Sequence, residues 1–246
     1  MVDLTDVSQA RFGITQGPSG ETSEHCPDAF LIWQLADSAF PSGGFAHSGG
    51  LESAWKYGEV RNSKELYEFI DASLGQLRHS SLPFLKATFE ELDRFNELDH
   101  LFDVFTANHV ANRASRAQGQ AMLAATERIF ASATLKQLRQ SVTERDLPGH
   151  LAPVFGVVAR TLNLQLETAL RLFVYFQLRG WISAAVRLGI VGPLEGQSIQ
   201  HRLSDKGSQI AGRPDELNLQ NIAQTLPLLD LLQGGHDRVY SRLFQS

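Results

Sequence analysis

Phe30–Trp55 reads FLIWQLADSAFPSGGFAHSGGLESAW, and the parsing of this stretch decides the fold. Leu31, Ile32 and Leu35 recur at helical spacing, the chain breaks at Phe40-Pro41-Ser42-Gly43-Gly44, and a helix resumes after Ser48-Gly49-Gly50. Two short helices therefore meet at a glycine-rich elbow. Pro41 fixes one backbone angle and lacks an N–H, whereas Gly43, Gly44, Gly49 and Gly50 accept left-handed conformations and close backbone approach. These five residues are read as a structural hinge. Phe40 and Phe45 bracket the first turn and are expected to pin it against the core, and Ser42 or Ser48 is expected to cap the second helix.

The competing parse takes Ala46-His47-Ser48-Gly49-Gly50 as the turn that lifts a serine nucleophile above the sheet of an α/β-hydrolase, with Asp230 and His236 following in the right chain order. That turn needs a strand in front of it. The residues before Ser48 carry helical spacing and then proline and glycine, and no βαβ alternation follows, so Ser48 reads better as a cap or turn residue.

Outward from the elbow, Leu66, Phe69, Ile70, Leu74 and Leu77 recur at threes and fours, which predicts a helix over 63–79. Pro83 suits the first turn of the next helix, with Phe84, Leu85 and Phe89 behind it, and Leu98, Leu101, Phe102 and Phe105 mark another. Residues 108–132 lack proline and are rich in Ala, Arg and Gln. Gly119 in their middle costs about 1 kcal/mol unless close packing requires it, so helix-on-helix contact is expected there. Leu135, Leu138 and Val142 suggest a short helix, and 150–188 holds two more, joined near Asn163. The second of these is apolar nearly all round and should be central. An amphipathic helix follows over 194–211 with Ile199, Leu203 and Ile210 inward, and Pro214 is expected to begin a last short one. With no long period-two run, the expected architecture is all-α, a single-domain bundle of about ten helices over 28–246. Residues 1–27 read as a flexible polar leader.

Composition excludes several classes of function. A net charge of -5 offers no general field for a phosphate backbone, so no nucleic-acid partner is expected. Neither Gly43-Gly44 nor Gly49-Gly50 ends in the Gly-Lys-Ser/Thr that a phosphate loop needs. The eight histidines show no zincin spacing, and His25-Cys26 supplies only two metal donors, so no stably bound cofactor is expected. The lone Cys26 fits a reducing compartment. The most apolar region is interrupted by Glu167, Arg171, Arg179 and Arg187, which argues against a membrane span, and no secretory signal is visible. A cytoplasmic location follows as the expectation.

Two features call for a partner or a fold-back. Glu52 lies one turn into the helix after the elbow, where a carboxylate either favours the helix dipole or serves a recessed contact or polar channel. The last residues, with Tyr240, Arg242, Leu243 and Phe244, combine the side-chain types that dominate interfaces, which suggests docking onto the chain's own core or onto another protein.

The same residues carry a family resemblance. Leu35-Ala36-Asp37-Ser38-Ala39-Phe40-Pro41-Ser42-Gly43-Gly44-Phe45, continued by Ser48, Gly49, Gly50, Leu51 and Glu52, resembles the N-terminal signature of the urease accessory protein UreF family. Arg116-Ala117-Gln118-Gly119 is similar to its middle helix, Ala184–Gly189 with Gly196-Gln197 to its late core, and His236–Ser246 to its ending. Gly49 stands where the family usually has glutamine, Asp237 where it often has glutamate, and Gly234-Gly235 where it has an apolar pair. The resemblance implies an all-α, homodimeric, non-catalytic maturation factor. Such proteins join UreD (also called UreH) and the GTPase UreG to load nickel into apo-urease, with the nickel handled by the complex. It also implies that Glu52, His236, Tyr240, Arg242, Leu243 and Phe244 are partner-binding residues.

Overall fold

The structure, a computed structural model, describes residues 29–246; the leader and its His25-Cys26 pair lie outside the described residues. Every regular element within them is helical. In chain order these are α1 (Ala29–Ala36), α2 (Leu51–Lys56), α3 (Ser63–His79), α4 (Ser81–Glu90), α5 (Phe95–Phe105), α6 (His109–Phe130), α7 (Ala133–Glu144), α8 (Leu151–Thr161), α9 (Leu166–Arg187), α10 (Pro193–Ala211) and α11 (Pro227–Gly235). One hydrophobic cluster runs through them from Leu35 to Phe244.

The helix starts follow from local chemistry. Asn62 Oδ1 accepts from the backbone N–H of Lys64 and Glu65 at 3.0 and 3.1 Å, and Asn108 Oδ1 does the same for Val110 and Ala111. Pro193 opens α10, where its missing N–H has no cost. Between α8 and α9 the chain turns through Asn163 at φ 57°, a left-handed conformation that asparagine tolerates.

Central position belongs to α9, which buries residues on all sides, including Leu170, Phe173, Leu178, Trp181 and Ala185. Against it pack α3, α4, α8 and α10. Close approach elsewhere is set by glycine: a Cβ on Gly156 of α8 would overlap Leu85 O and Thr88 Oγ1 of α4, and one on Gly119 of α6 would overlap Gly149 O before α8. The close packing expected of Gly119 is present, against the turn that leads into α8 rather than against the body of another helix. At the same junction Asp99 of α5 is fully buried and accepts from Gly149 N–H at 2.7 Å and His150 N–H at 2.8 Å, which fixes the N-terminus of α8.

Three local expectations are corrected. Phe40 is buried, but Phe45 is 69 % exposed, because Arg187 rather than the core covers it. Pro214 begins one 3₁₀ turn, Pro214–Glu216, and the last α-helix is α11, whose short Leu-rich run carries too few turns to declare a period. The N-cap of α2 is Gly50, at φ 90°, with Ser42 taking no part. Ser48 nevertheless meets one free donor of that helix, its Oγ accepting from Glu52 N–H at 3.3 Å.

Candidate functional site

The elbow and the C-terminal segment, far apart in sequence, form one site. Between α1 and α2 the chain makes a 3₁₀ turn, Gly44–Ala46, and then turns through Gly49 at φ 60° and Gly50 at φ 90°. In this chain both positions favour glycine on two counts. L-residues rarely take these angles, and a Cβ would strike Trp181 Nε1 from position 49 or Gln233 Cγ, 2.8 Å away, from position 50. Of the other hinge residues, Gly43 also has a positive φ of 74°, facing Ala121, whereas Gly44 only opens the 3₁₀ turn and Pro41 is exposed. The elbow is thus pressed against α6, α9 and α11, and α2 leaves it with Glu52 pointing inward.

Glu52 is 1 % exposed and is satisfied by the tail. Its Oε1 accepts from Leu243 N–H at 2.6 Å, and its Oε2 accepts from Phe244 N–H at 3.1 Å and from His236 Nε2–H at 3.2 Å. His236 is fully buried, with Nδ1 unpartnered. Gln245 N–H donates to Ala46 O at 2.8 Å and Ser48 N–H to Ser246 O at 2.7 Å, while Ser48 Oγ–H donates to that same carbonyl at 3.1 Å. His47 Nδ1 meets Ser246 Oγ, and its pKa is lowered to about 4, first by burial and then by the charges of Arg113 and His236.

The six residues expected to bind partners therefore divide. Glu52, His236 and Phe244 are buried and join the tail to its own core. Tyr240 is fully exposed, Leu243 is half-exposed, and Arg242 lies at the surface with Nη1 donating to Asp237 Oδ1 at 3.2 Å. Asp237 also accepts from Arg113 at 2.9 Å and from His109 at 3.1 Å, and the Arg113 guanidinium holds its carboxyl below the usual carboxylate range.

Arg113, Asp237 and Arg187 are structural participants that sequence reasoning missed. The Arg187 guanidinium stacks between the rings of Phe45 and Phe244, at 3.9 and 4.2 Å. Nothing in the local pattern marks it, since its partners lie in two distant segments. Beside it, between elbow and α9, is a cavity of about 450 Å³ lined by Ser42, Phe45, Gln118, Trp181, Arg187 and Phe244 among others. A smaller cavity of about 170 Å³ adjoins it at Gly49, Gln177 and Trp181, with Gln76, Gln224 and Gln233 on its walls among apolar side chains such as Phe105 and Leu229.

The hydrolase alternative is corrected here. No strand precedes Ser48 or occurs anywhere among the described residues. Ser48 is bonded to Ser246 and the start of α2, His236 to Glu52, and no hydrogen bond joins Ser48 to His236 or His236 to Asp230 among the described residues. A nucleophile without its base has no activation. Among the described residues no three or more His, Cys, Asp or Glu side chains are grouped to hold a metal ion, and no helix is long and apolar enough to cross a membrane.

Comparison with known proteins covers the middle of the bundle and, for the relatives, most of the chain. The family model described as UreF matches residues 60–204, more than half of the chain. Urease accessory protein F of Oryza sativa subsp. japonica is 35 % identical over 231 residues, 92 % of this chain and 88 % of that one. Urease accessory protein F of Arabidopsis thaliana is 34 % identical over 218 residues, 87 % and 91 % of the two chains. Urease accessory protein UreF of Paenarthrobacter aurescens is 30 % identical over 216 residues, 87 % and 96 %. An all-helical chain, matched through its core by that family model and along most of its length by those relatives, belongs to the UreF family of urease accessory proteins.

Proposed function

We propose that the protein is a non-catalytic scaffold of urease maturation that binds UreD/UreH and the GTPase UreG, as a homodimer in the cytoplasm, while the complex loads nickel into apo-urease. Membership of a family of urease accessory proteins supports the role in maturation. The observation that carries the docking role is the state of the tail. Leu243 and Phe244 are anchored through their backbone to Glu52 and His236 is buried beneath, so the intervening residues are held outward with Tyr240 wholly exposed. An aromatic and an arginine presented from a rigid base lose little conformational entropy on binding, which is what interface anchors require. In this reading Glu52 and His236 serve partner binding from below, by shaping the segment that touches the partner.

The test uses Tyr240→Ala combined with Arg242→Ala, co-expressed with UreD/UreH and UreG. Truncating residues 236–246 would leave Glu52 buried without donors and confuse binding with folding. The double variant leaves the Glu52 donors in place and removes, besides the exposed Tyr240 ring, only the surface ion pair of Arg242 with Asp237. Expected is loss of co-purifying partners with unchanged helical circular dichroism; retention of both partners at the wild-type ratio would overturn the docking role.

A further inference from the structure

Arg187, at the end of α9, is a cation without an acidic partner among the described residues. Its charge is met instead by two aromatic faces, Phe45 at 3.9 Å and Phe244 at 4.2 Å, and by the Phe45 carbonyl, which accepts from Nη1. A planar, weakly hydrated guanidinium can stack on two rings at once; a compact, strongly hydrated ammonium fits that sandwich poorly. One ring belongs to the elbow and is 69 % exposed, and the other belongs to the tail and is 5 % exposed. The same two segments share the backbone bonds Gln245 N–H to Ala46 O and Ser48 N–H to Ser246 O. Phe244 is also part of the wall of the 450 Å³ cavity. Lifting the tail therefore unstacks Arg187, breaks both backbone bonds to the elbow and opens the cavity in one movement.

We propose that Arg187 is a positioning residue that makes the elbow (44–48) and the tail (243–246) a single opening unit, with the tail as a strap across the elbow cavity. Its consequence for assembly rests on the docking role of the tail: a partner gripping Tyr240 and Arg242 meets a strap whose stiffness Arg187 sets, and its pull is transmitted to the elbow.

Hydrogen exchange on the full, isolated chain tests the coupling. Arg187→Lys keeps the charge and loses the double stacking. Exchange at Ser48, Leu243, Phe244 and Gln245 is expected to rise by one common factor, about tenfold, with the amides of α8 and the middle of α9 unchanged. Phe45→Leu alters only a surface ring, so it cannot unfold the core, and it is expected to raise the same four amides together by a smaller factor. Elbow and tail amides responding by different factors, or no response to Arg187→Lys, would overturn the proposal. Coupled exchange in a chain that binds neither UreD/UreH nor UreG would sink the docking role alone. Partner binding retained alongside uncoupled exchange would sink the opening unit alone.

Discussion

Burying the Glu52 carboxylate costs several kcal/mol, and the cost is met only because three N–H groups converge on it. Two of those donors are backbone amides of the tail, so the same bonds that make Glu52 tolerable make the tail ordered. Removing the acceptor strands all three. Glu52→Ala is expected to lower unfolding free energy by about 3 kcal/mol, at roughly 1 kcal/mol for each stranded donor, as read by urea denaturation. Glu52→Gln, which keeps one acceptor oxygen, should lose roughly half as much. Equal stability of Glu52→Ala and wild type would show that the carboxylate does not anchor the tail.

Between helices, the decisive positions are those where backbone meets backbone. A Cβ on Gly119 or Gly156 would enter space occupied by Gly149 O, or by Leu85 O and Thr88 Oγ1, none of which is the yielding end of a flexible side chain. Gly119→Ala and Gly156→Ala are each expected to destabilise by about 3 kcal/mol, through forced displacement of α8. Gly75 and Gly180 are also mid-helix, but a Cβ there meets nothing within 4 Å. Alanine at either should stabilise by about 0.5–1 kcal/mol, through helix propensity and a less free unfolded chain. Thermal melts of the four variants separate close-packed from idle glycines; a common sign for all four would refute the distinction.

For the molecule as a whole, acid is the informative variable. His47, with a pKa of about 4 in the fold, and His150, lowered by burial, both bind protons less readily folded than unfolded. Their contribution is complete above the ordinary histidine pKa of about 6.5 and is lost as pH falls through the folded values. Asp99, raised chiefly by burial, has the opposite sign: it favours the fold at low pH, and that contribution is lost as pH rises through its folded pKa. Unfolding midpoints in urea should therefore fall from pH 7 to pH 4.5, with Asp99 offsetting part of the loss at the acid end. His47 is partly solvated, so its share is on the order of 2 kcal/mol after screening. His47→Gln should flatten the profile by about that amount; an unchanged profile would remove His47 from the account.

The all-α class, the helix over 63–79, the central α9, the glycine turn at 49–50 and the close packing at Gly119 are determined by sequence, because period, proline placement and backbone freedom are local properties. The ordered signature of the elbow, middle helix and ending also pointed to the family through residues of the chain alone. Tertiary structure decided which tail residues face inward, since Glu52 and Leu243 meet only after the whole bundle has closed between them. It also decided that Phe45 lies under Arg187 and that Ser48 serves the tail instead of a catalytic base. Hydrogen bonds and ring stacking between distant segments leave no period in the sequence, because each partner satisfies the other from a different element, and only packing brings them within reach.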